Sequence, residues 1–237
     1  MLENKNVFIT GASGGLGSQI ALEFAKQGCN LYLTGRKDEK LSALISDLHT
    51  EIQTEQKVYF KTGDLENLQE VEDIISDAKD KLGGIDILVN CAGVFIVKPF
   101  EETKNEHFDS SFNLNVKVPF ILCREFMEDM VKNQWGRIIN IGSSSAYNGF
   151  KETSVYCASK HALLGLTRSL YDEYKDHNVR AFCFSPGSIK TEMGRKVKNQ
   201  DFDTFINPEE IAKYIIFSIS FDQAMISNEV QLKRVNL

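Results

Sequence analysis

Thr10-Gly11-Ala12-Ser13-Gly14-Gly15-Leu16-Gly17 stands between an apolar run, Asn6 to Thr10, and a stretch with helical apolar spacing, Gly15 to Lys26. Glycines at 11, 15 and 17 permit a tight turn, close approach of the backbone to a pyrophosphate, and close packing of the following helix, whose N-terminus attracts phosphate charge. This is a dinucleotide cradle in form, although glycine-rich strand-to-helix turns also arise for packing alone. The chain on either side has to decide between the two.

Working outward, short apolar runs recur between amphipathic stretches: Asn30 to Thr34, Val58 to Thr62, Ile85 to Asn90, Arg137 to Ile141 and Arg180 to Ser185, with a seventh candidate at Glu229 to Lys233. The intervals hold helical spacing at Glu39 to Glu51, Leu68 to Lys81, Asn105 to Lys132, Ser154 to Lys175 and Pro208 to Ser218. Such alternation predicts an α/β fold, a Rossmann-type doubly wound parallel sheet of about seven strands with helices on both faces. Two irregular segments, Tyr147 to Thr153 and Glu192 to Asn207, follow strand ends on the edge where open α/β sheets place ligands.

With 237 residues, 42% of them hydrophobic, the chain is long enough for one substantial core, and a single domain over residues 1–237 is expected. A formal net charge of −6 without a basic face argues against nucleic acid or an anionic membrane as partner. The five cysteines, Cys29, Cys91, Cys123, Cys157 and Cys183, are scattered singly with no CxxC pair, the usage of reduced, packed thiols. Strand-like residues begin almost at the first position, with no charged leader and no long apolar run, so a cytoplasmic protein is expected. His49, His107, His161 and His177 form no ligand spacing, and no catalytic metal is expected.

The glycine spacing is GxxxGxG, not the commoner GxGxxG, and TGxxxGxG is the form found in short-chain dehydrogenases. The chain resembles the short-chain dehydrogenase/reductase (SDR) family from end to end. Asn90-Cys91-Ala92-Gly93 is similar to the family's NNAG turn, with Cys91 in place of the second Asn. Asp64-Leu65 looks like its adenine-contacting step, and Pro186-Gly187-Ser188-Ile189-Lys190-Thr191 matches its PGxxxT turn by the nicotinamide. The resemblance implies cofactor contacts at Gly11, Ser13, Gly15, Leu16, Gly17, Asp64, Leu65, Asn90, Ala92, Gly93, Pro186, Gly187, Ile189 and Thr191, with Tyr156 and Lys160 beside the nicotinamide ribose.

At the end of the second apolar run, where NAD-preferring relatives carry an Asp for the ribose hydroxyls, stands Thr34-Gly35-Arg36. A carboxylate there repels a 2′-phosphate, whereas a guanidinium binds it with charge-assisted hydrogen bonds, so NADP(H) is expected over NAD(H). The competing reading is a solvated loop charge, since the glycine turn holds no second basic residue.

Tyr156 and Lys160 are four apart in Tyr-Cys-Ala-Ser-Lys, so both leave the same helix face. An ammonium beside a phenol favours the phenolate, which makes Tyr156 a general acid in reduction and general base in oxidation. Ser143 precedes Tyr156 at the family's spacing, and by that resemblance it stabilises the substrate oxygen, with Ser144 as the alternative. Pro119 has no N–H for the carbonyl of Asn115, so the long helix should kink there. In the family an Asn at this place holds a water that links the Lys to solvent, and Asn115, Ser143, Tyr156 and Lys160 complete that catalytic tetrad.

The function this implies is hydride transfer between NADP(H) and a carbonyl or alcohol, in the manner of a 3-oxoacyl-type ketone reductase. Two alternatives stand: a cofactor-binding sensor without turnover, whose usual mark is a broken YxxxK or Ser, and an NAD-dependent alcohol dehydrogenase. The basic residues Lys190, Arg195, Lys196 and Lys198 fit either an anionic handle on the substrate or a solvated loop. Specificity is expected in the loops at 94–100, 147–153 and 192–207. The family often forms homodimers or homotetramers through the helices carrying Asn115 and Tyr156, and Phe112, Phe120, Phe126, Leu163, Leu166 and Leu170 supply apolar surface for core and interface together. Ile226 to Leu237 lacks the glycine pair common near the end of relatives, which leaves the C-terminal contribution to the pocket open.

Overall fold

The computed structural model describes residues 2–50 and 55–235. Seven parallel strands form one sheet: β1 (Asn6–Thr10), β2 (Asn30–Gly35), β3 (Val58–Thr62), β4 (Ile87–Asn90), β5 (Gly136–Ile141), β6 (Val179–Pro186) and β7 (Glu229–Leu232), in the order β3-β2-β1-β4-β5-β6-β7. The helices are α1 (Gly15–Lys26), α2 (Asp38–Leu48), α3 (Leu68–Leu82), α4 (Asn105–Phe112), α5 (Val118–Lys132), α6 (Ser154–Tyr174) and α7 (Pro208–Ile219). The predicted doubly wound architecture is what is found, with strand ends within two residues of expectation. Helix α2 stops at Leu48, and Glu51, the expected end, lies outside the described residues.

Period-two alternation divides the sheet between two cores. Val7, Ile9, Leu31, Leu33, Ile87 and Val89 face one way and pack with the apolar stripes of α1, α2 and α7. Phe8, Tyr32, Leu88 and Ile138 face the other way, against α3 and α5, with Leu170, Tyr171 and Tyr174 of α6 at the margin. Buried on both faces, these strands read as near-continuous apolar runs, which is why they were legible.

One element departs from expectation. The single helix predicted over Asn105 to Lys132 is two helices joined by a π-helical turn at Asn113–Lys117. Pro119 has no N–H to give the Asn115 carbonyl, and the Val118 N–H reaches back five residues to the Asn113 carbonyl. The expected kink is thus realised as one widened turn that carries Asn115.

A charged clamp closes the end of the sheet remote from the strands' carboxyl edge. The Arg137 side chain on β5 is fully buried; its Nη1 donates to the Gly136 carbonyl at 2.7 Å and the Asn178 carbonyl at 2.9 Å, and Nη2 pairs with the Asp222 carboxylate. The Trp135 ring covers the guanidinium at 4.4 Å and donates from Nε1 to Asp222 at 3.2 Å. Burial pulls the Arg137 pKa down to about 10 against the opposing pull of Asp222.

Candidate active site

β1 and β4 lie side by side while their neighbours run outward in opposite directions, so the loops after them part and leave a crevice at the carboxyl edge. Thr10 fixes this point: its Oγ1 accepts from the N–H groups of Cys91 and Ala92, each at 3.0 Å, and donates to the Val89 carbonyl at 3.3 Å. Gly11 turns at φ +66°, and a Cβ there would stand 2.8 Å from the Ala92 Cα, so only glycine serves. The glycine turn and the Asn90–Gly93 turn are therefore in direct contact.

Two more predicted turns converge on the same place. A Cβ at Gly15 would lie 2.9 Å from Thr191 Cγ2, which puts the Pro186–Thr191 turn over the start of α1. A Cβ at Gly35 would lie 2.6 Å from Ser13 Oγ, which puts the glycine turn beside the end of β2. Arg36, next in the chain, is exposed and has no ion-pair or hydrogen-bond partner among the described residues. Gly14 caps α1 without a side-chain hydrogen bond to the N–H groups of the first turn. A glycine cradle at a helix N-terminus with an unengaged guanidinium beside it fits a dinucleotide phosphate chain and a further phosphate on the adenosine ribose.

Not every predicted cofactor residue presents its side chain there. Asn90 is buried on the Leu88 side of β4, where Nδ2 donates to Asn140 Oδ1 at 2.8 Å, so it ties β4 to β5 and offers the crevice only its backbone. Leu65 is packed in the core beneath α3. Asp64 is exposed after β3, and its carboxylate accepts from the Glu66 N–H at 3.1 Å, closing its own turn.

The predicted tetrad comes together beside these turns. Ser143 stands two residues beyond the end of β5, and its hydroxyl faces the Tyr156 phenol near the start of α6. Lys160, one helical turn on, donates from Nζ to the Ile141 carbonyl at 2.7 Å and lies 5.7 Å from the Tyr156 ring centre. A Cβ on Gly93 would stand 3.0 Å from Asn115 Oδ1 and 3.9 Å from Lys160 Nζ, so Asn115 adjoins the lysine. Asn115 is held on several sides: Oδ1 accepts from the Val94 N–H at 2.9 Å, and Nδ2 lies 3.0 Å from both the Val94 carbonyl and Ser159 Oγ. Ser144 starts a short 3₁₀ turn, and its carbonyl accepts from the N–H groups of Tyr147 and Asn148, while it is the Ser143 hydroxyl that faces the Tyr156 phenol.

The electrostatics differ from the simple ammonium-on-phenol expectation. Burial pushes the Tyr156 phenol up to about 12, opposed by the nearby Ser143 hydroxyl, and burial likewise pulls Lys160 down to about 8. Lys160 directs its charge at a main-chain carbonyl. Desolvation therefore dominates both groups, and the phenol is a proton donor, not a phenolate, in the protein alone.

Several contacts were not anticipated. Phe95 meets Tyr156 edge to face at 4.7 Å and helps to bury it; an aromatic two residues beyond Gly93, in a loop already flagged for specificity, was the available signal. Ser111 and Ser159, both fully buried, bond each other at 3.3 Å behind Asn115, which no local pattern announces. Of the basic cluster in the 192–207 segment and just before it, Lys190 pairs with Asp203 at 3.2 Å, Lys198 with Glu152 at 3.2 Å, and Arg195 lies 4.1 Å over the Phe202 ring. Intramolecular partners thus occupy three of the four cations proposed for an anionic handle.

No helix among the described residues is long and apolar enough to cross a membrane. The family model described as short chain dehydrogenase matches residues 5–201. A 3-oxoacyl-[acyl-carrier-protein] reductase FabG of Rickettsia bellii is 33% identical over 96% of this chain and 94% of its own length. An uncharacterized oxidoreductase of Thermotoga maritima is 35% identical over 89% of this chain and 80% of its own. Among solved structures, a metagenomic short-chain oxidoreductase in complex with NADP is 29% identical and superposes with a TM-score of 0.85, covering 100% of this chain and 99% of that one. Motif order, sheet order, the meeting of Ser143, Tyr156 and Lys160, and a match over most of the length lead to one assignment: the chain belongs to the short-chain dehydrogenase family.

Proposed function

We infer that residues 1–237 form one NADP(H)-dependent oxidoreductase domain that reduces a ketone, with Asn115, Ser143, Tyr156 and Lys160 as its reacting group. The observation that carries this reading is the juxtaposition of the Ser143 hydroxyl and the Tyr156 phenol, with Lys160 one turn away and beside Gly93, in the crevice where the glycine-containing turns meet. NADP(H), when bound, supplies or accepts the hydride.

The chain's own residues do the rest. The glycine turn and the first turn of α1 hold the phosphates, and Arg36 with Ser13 beside it holds the additional phosphate. The Ser143 hydroxyl donates to the substrate oxygen as negative charge grows there, and Tyr156 delivers its proton to that oxygen. Lys160 orients the ribose and restores the proton, with Asn115 holding the route to solvent. Phe95 and the loops at 94–100, 147–153 and 192–207 exclude water and shape the carbonyl site. The Rickettsia relative's name points to a 3-oxoacyl-type substrate.

The protein works as a homodimer or homotetramer in the cytoplasm. Phe120, half exposed on α5, edges a groove between α5 and α6 that also takes in Leu166 and Leu170, an apolar seam suited to a second copy.

The test is NADPH consumption, followed by absorbance, across 3-oxoacyl thioesters, keto-sugars, ketosteroids, quinones and small aldehydes. Turnover of at least one class is expected, and tight NADPH binding with no turnover of any would favour a sensor. Arg36→Ala should lower the ratio of NADPH to NADH affinity by about tenfold, the size of one lost charge-assisted contact at an exposed site. An unchanged ratio in paired binding titrations removes Arg36 from the assignment.

A pH limb also follows. Lys160 is charged below its pKa of about 8 and neutral above it, whereas Tyr156, at about 12, keeps its proton throughout. The kcat/KM for NADPH, which reports the free enzyme, should therefore fall as pH rises through about 8. A profile still flat two pH units above that value would contradict the role given to Lys160.

A further inference from the structure

We propose that Tyr147, locked by Glu229 and Arg168, is a positioning residue that holds the Ser143 hydroxyl in place against Tyr156; this rests on the role given to Ser143 above. Ser143 lies where β5 passes into a 3₁₀ turn, Ser144–Ala146, and its own side chain is steadied locally by one bond, from the Ser145 N–H at 3.1 Å. A 3₁₀ turn of three residues has poor hydrogen-bond geometry and little rigidity of its own. An oxyanion donor has to be preorganised, so something else must fix this segment.

The fixing points lie on either side of it. One residue before Ser143, Gly142 lies against β6, where a Cβ would stand 2.4 Å from Ser185 Oγ and 2.7 Å from Cys183 Sγ. Four residues after Ser143, the Tyr147 hydroxyl stands beside the same Ser185 and donates to Glu229 Oε2 at 3.4 Å. Glu229 opens β7 and is gripped by the fork of Arg168, Nε at 2.7 Å and Nη2 at 2.8 Å. Arg168 belongs to α6, the helix that carries Tyr156 and Lys160. The clamp thus joins the Ser143 segment, by way of the edge strand, to the helix of its reaction partners.

The bidentate geometry supplies direction more than stability. Arg168 is more than half exposed, and an exposed pair adds little to folding free energy. A planar fork nevertheless fixes the carboxylate's orientation, and through it the phenol. The C-terminal strand, whose part in the site the sequence left open, contributes in this way without touching substrate.

Tyr147→Phe removes only the hydroxyl and Glu229→Gln only the charge. In the full-length protein, amide hydrogen exchange of peptides covering 141–148 should quicken about fivefold in Tyr147→Phe, with peptides from the middle of α6 unchanged. With NADPH and ethyl acetoacetate as probe, kcat should fall about tenfold in either variant while the NADPH dissociation constant stays put. In a Ser143→Ala background Tyr147→Phe should cost less than about twofold, because the group it positions is gone. Unchanged exchange at 141–148 would overturn the clamp, as would losses that multiply across the cycle. A wild-type protein inert to the probe would count against the reductase assignment, and the exchange experiment would still decide the clamp.

Discussion

Tyr156→Phe should lower kcat for ketone reduction by about a thousandfold and leave NADPH affinity within about twofold, the mid-range of what one positioned proton donor contributes. The substitution removes a single oxygen from a ring that is buried against Phe95, so packing on α6 is kept and the loss is one of proton supply. Because burial pushes this phenol up to about 12, its proton is present at every working pH, and reduction is the direction the free protein is prepared for. A stopped reaction together with unaltered cofactor binding by fluorescence is the expected pair of results. A variant retaining a tenth or more of wild-type kcat would mean that another group, or water, delivers the proton.

The largest effect on stability should come from Asp222→Ala. Arg137 has no exposed surface, and losing Asp222 leaves a buried guanidinium with two carbonyls and the Trp135 face, among the described residues, to compensate it. Breaking such a pair from one side costs about 3 kcal/mol, and for a chain of this size that lowers Tm by about 6–12 °C. Arg137→Leu, which removes the charge along with its partner's task, should cost less than Asp222→Ala. Thermal unfolding of the two variants checks the order; a reversed order would mean that the carbonyl bonds, not the ion pair, hold this end of the sheet.

What the sequence revealed was what is local. The GxxxGxG turn, the Tyr-Cys-Ala-Ser-Lys pair and the proline after Asn115 each state their geometry within a few residues, and the buried strands announce themselves by continuous apolar runs. The π-turn was half legible: Pro119 marks a broken hydrogen bond, but helical apolar spacing continues through Asn113–Lys117 and conceals the extra residue. Asn90 could have been placed correctly, since alternation from Leu88 turns it toward the core and away from the crevice. The lowered Lys160 pKa was not foreseeable, because it depends on how completely the neighbouring loops exclude water. Nor was the contact of Tyr147 with Glu229, 82 residues away, which exists only because the sheet order sets β7 beside β6.

The central claim is that this crevice passes a hydride to a carbonyl carbon, and isotope transfer tests it without intermediaries. The protein would be incubated with NADPH carrying deuterium at both nicotinamide C4 positions and the best ketone of the panel, and the alcohol analysed by mass spectrometry and NMR. One deuterium on the carbinol carbon, absent from the Tyr156→Phe reaction, is the predicted result. NADPH consumed with no label in the alcohol, or bound tightly and never consumed, would contradict it.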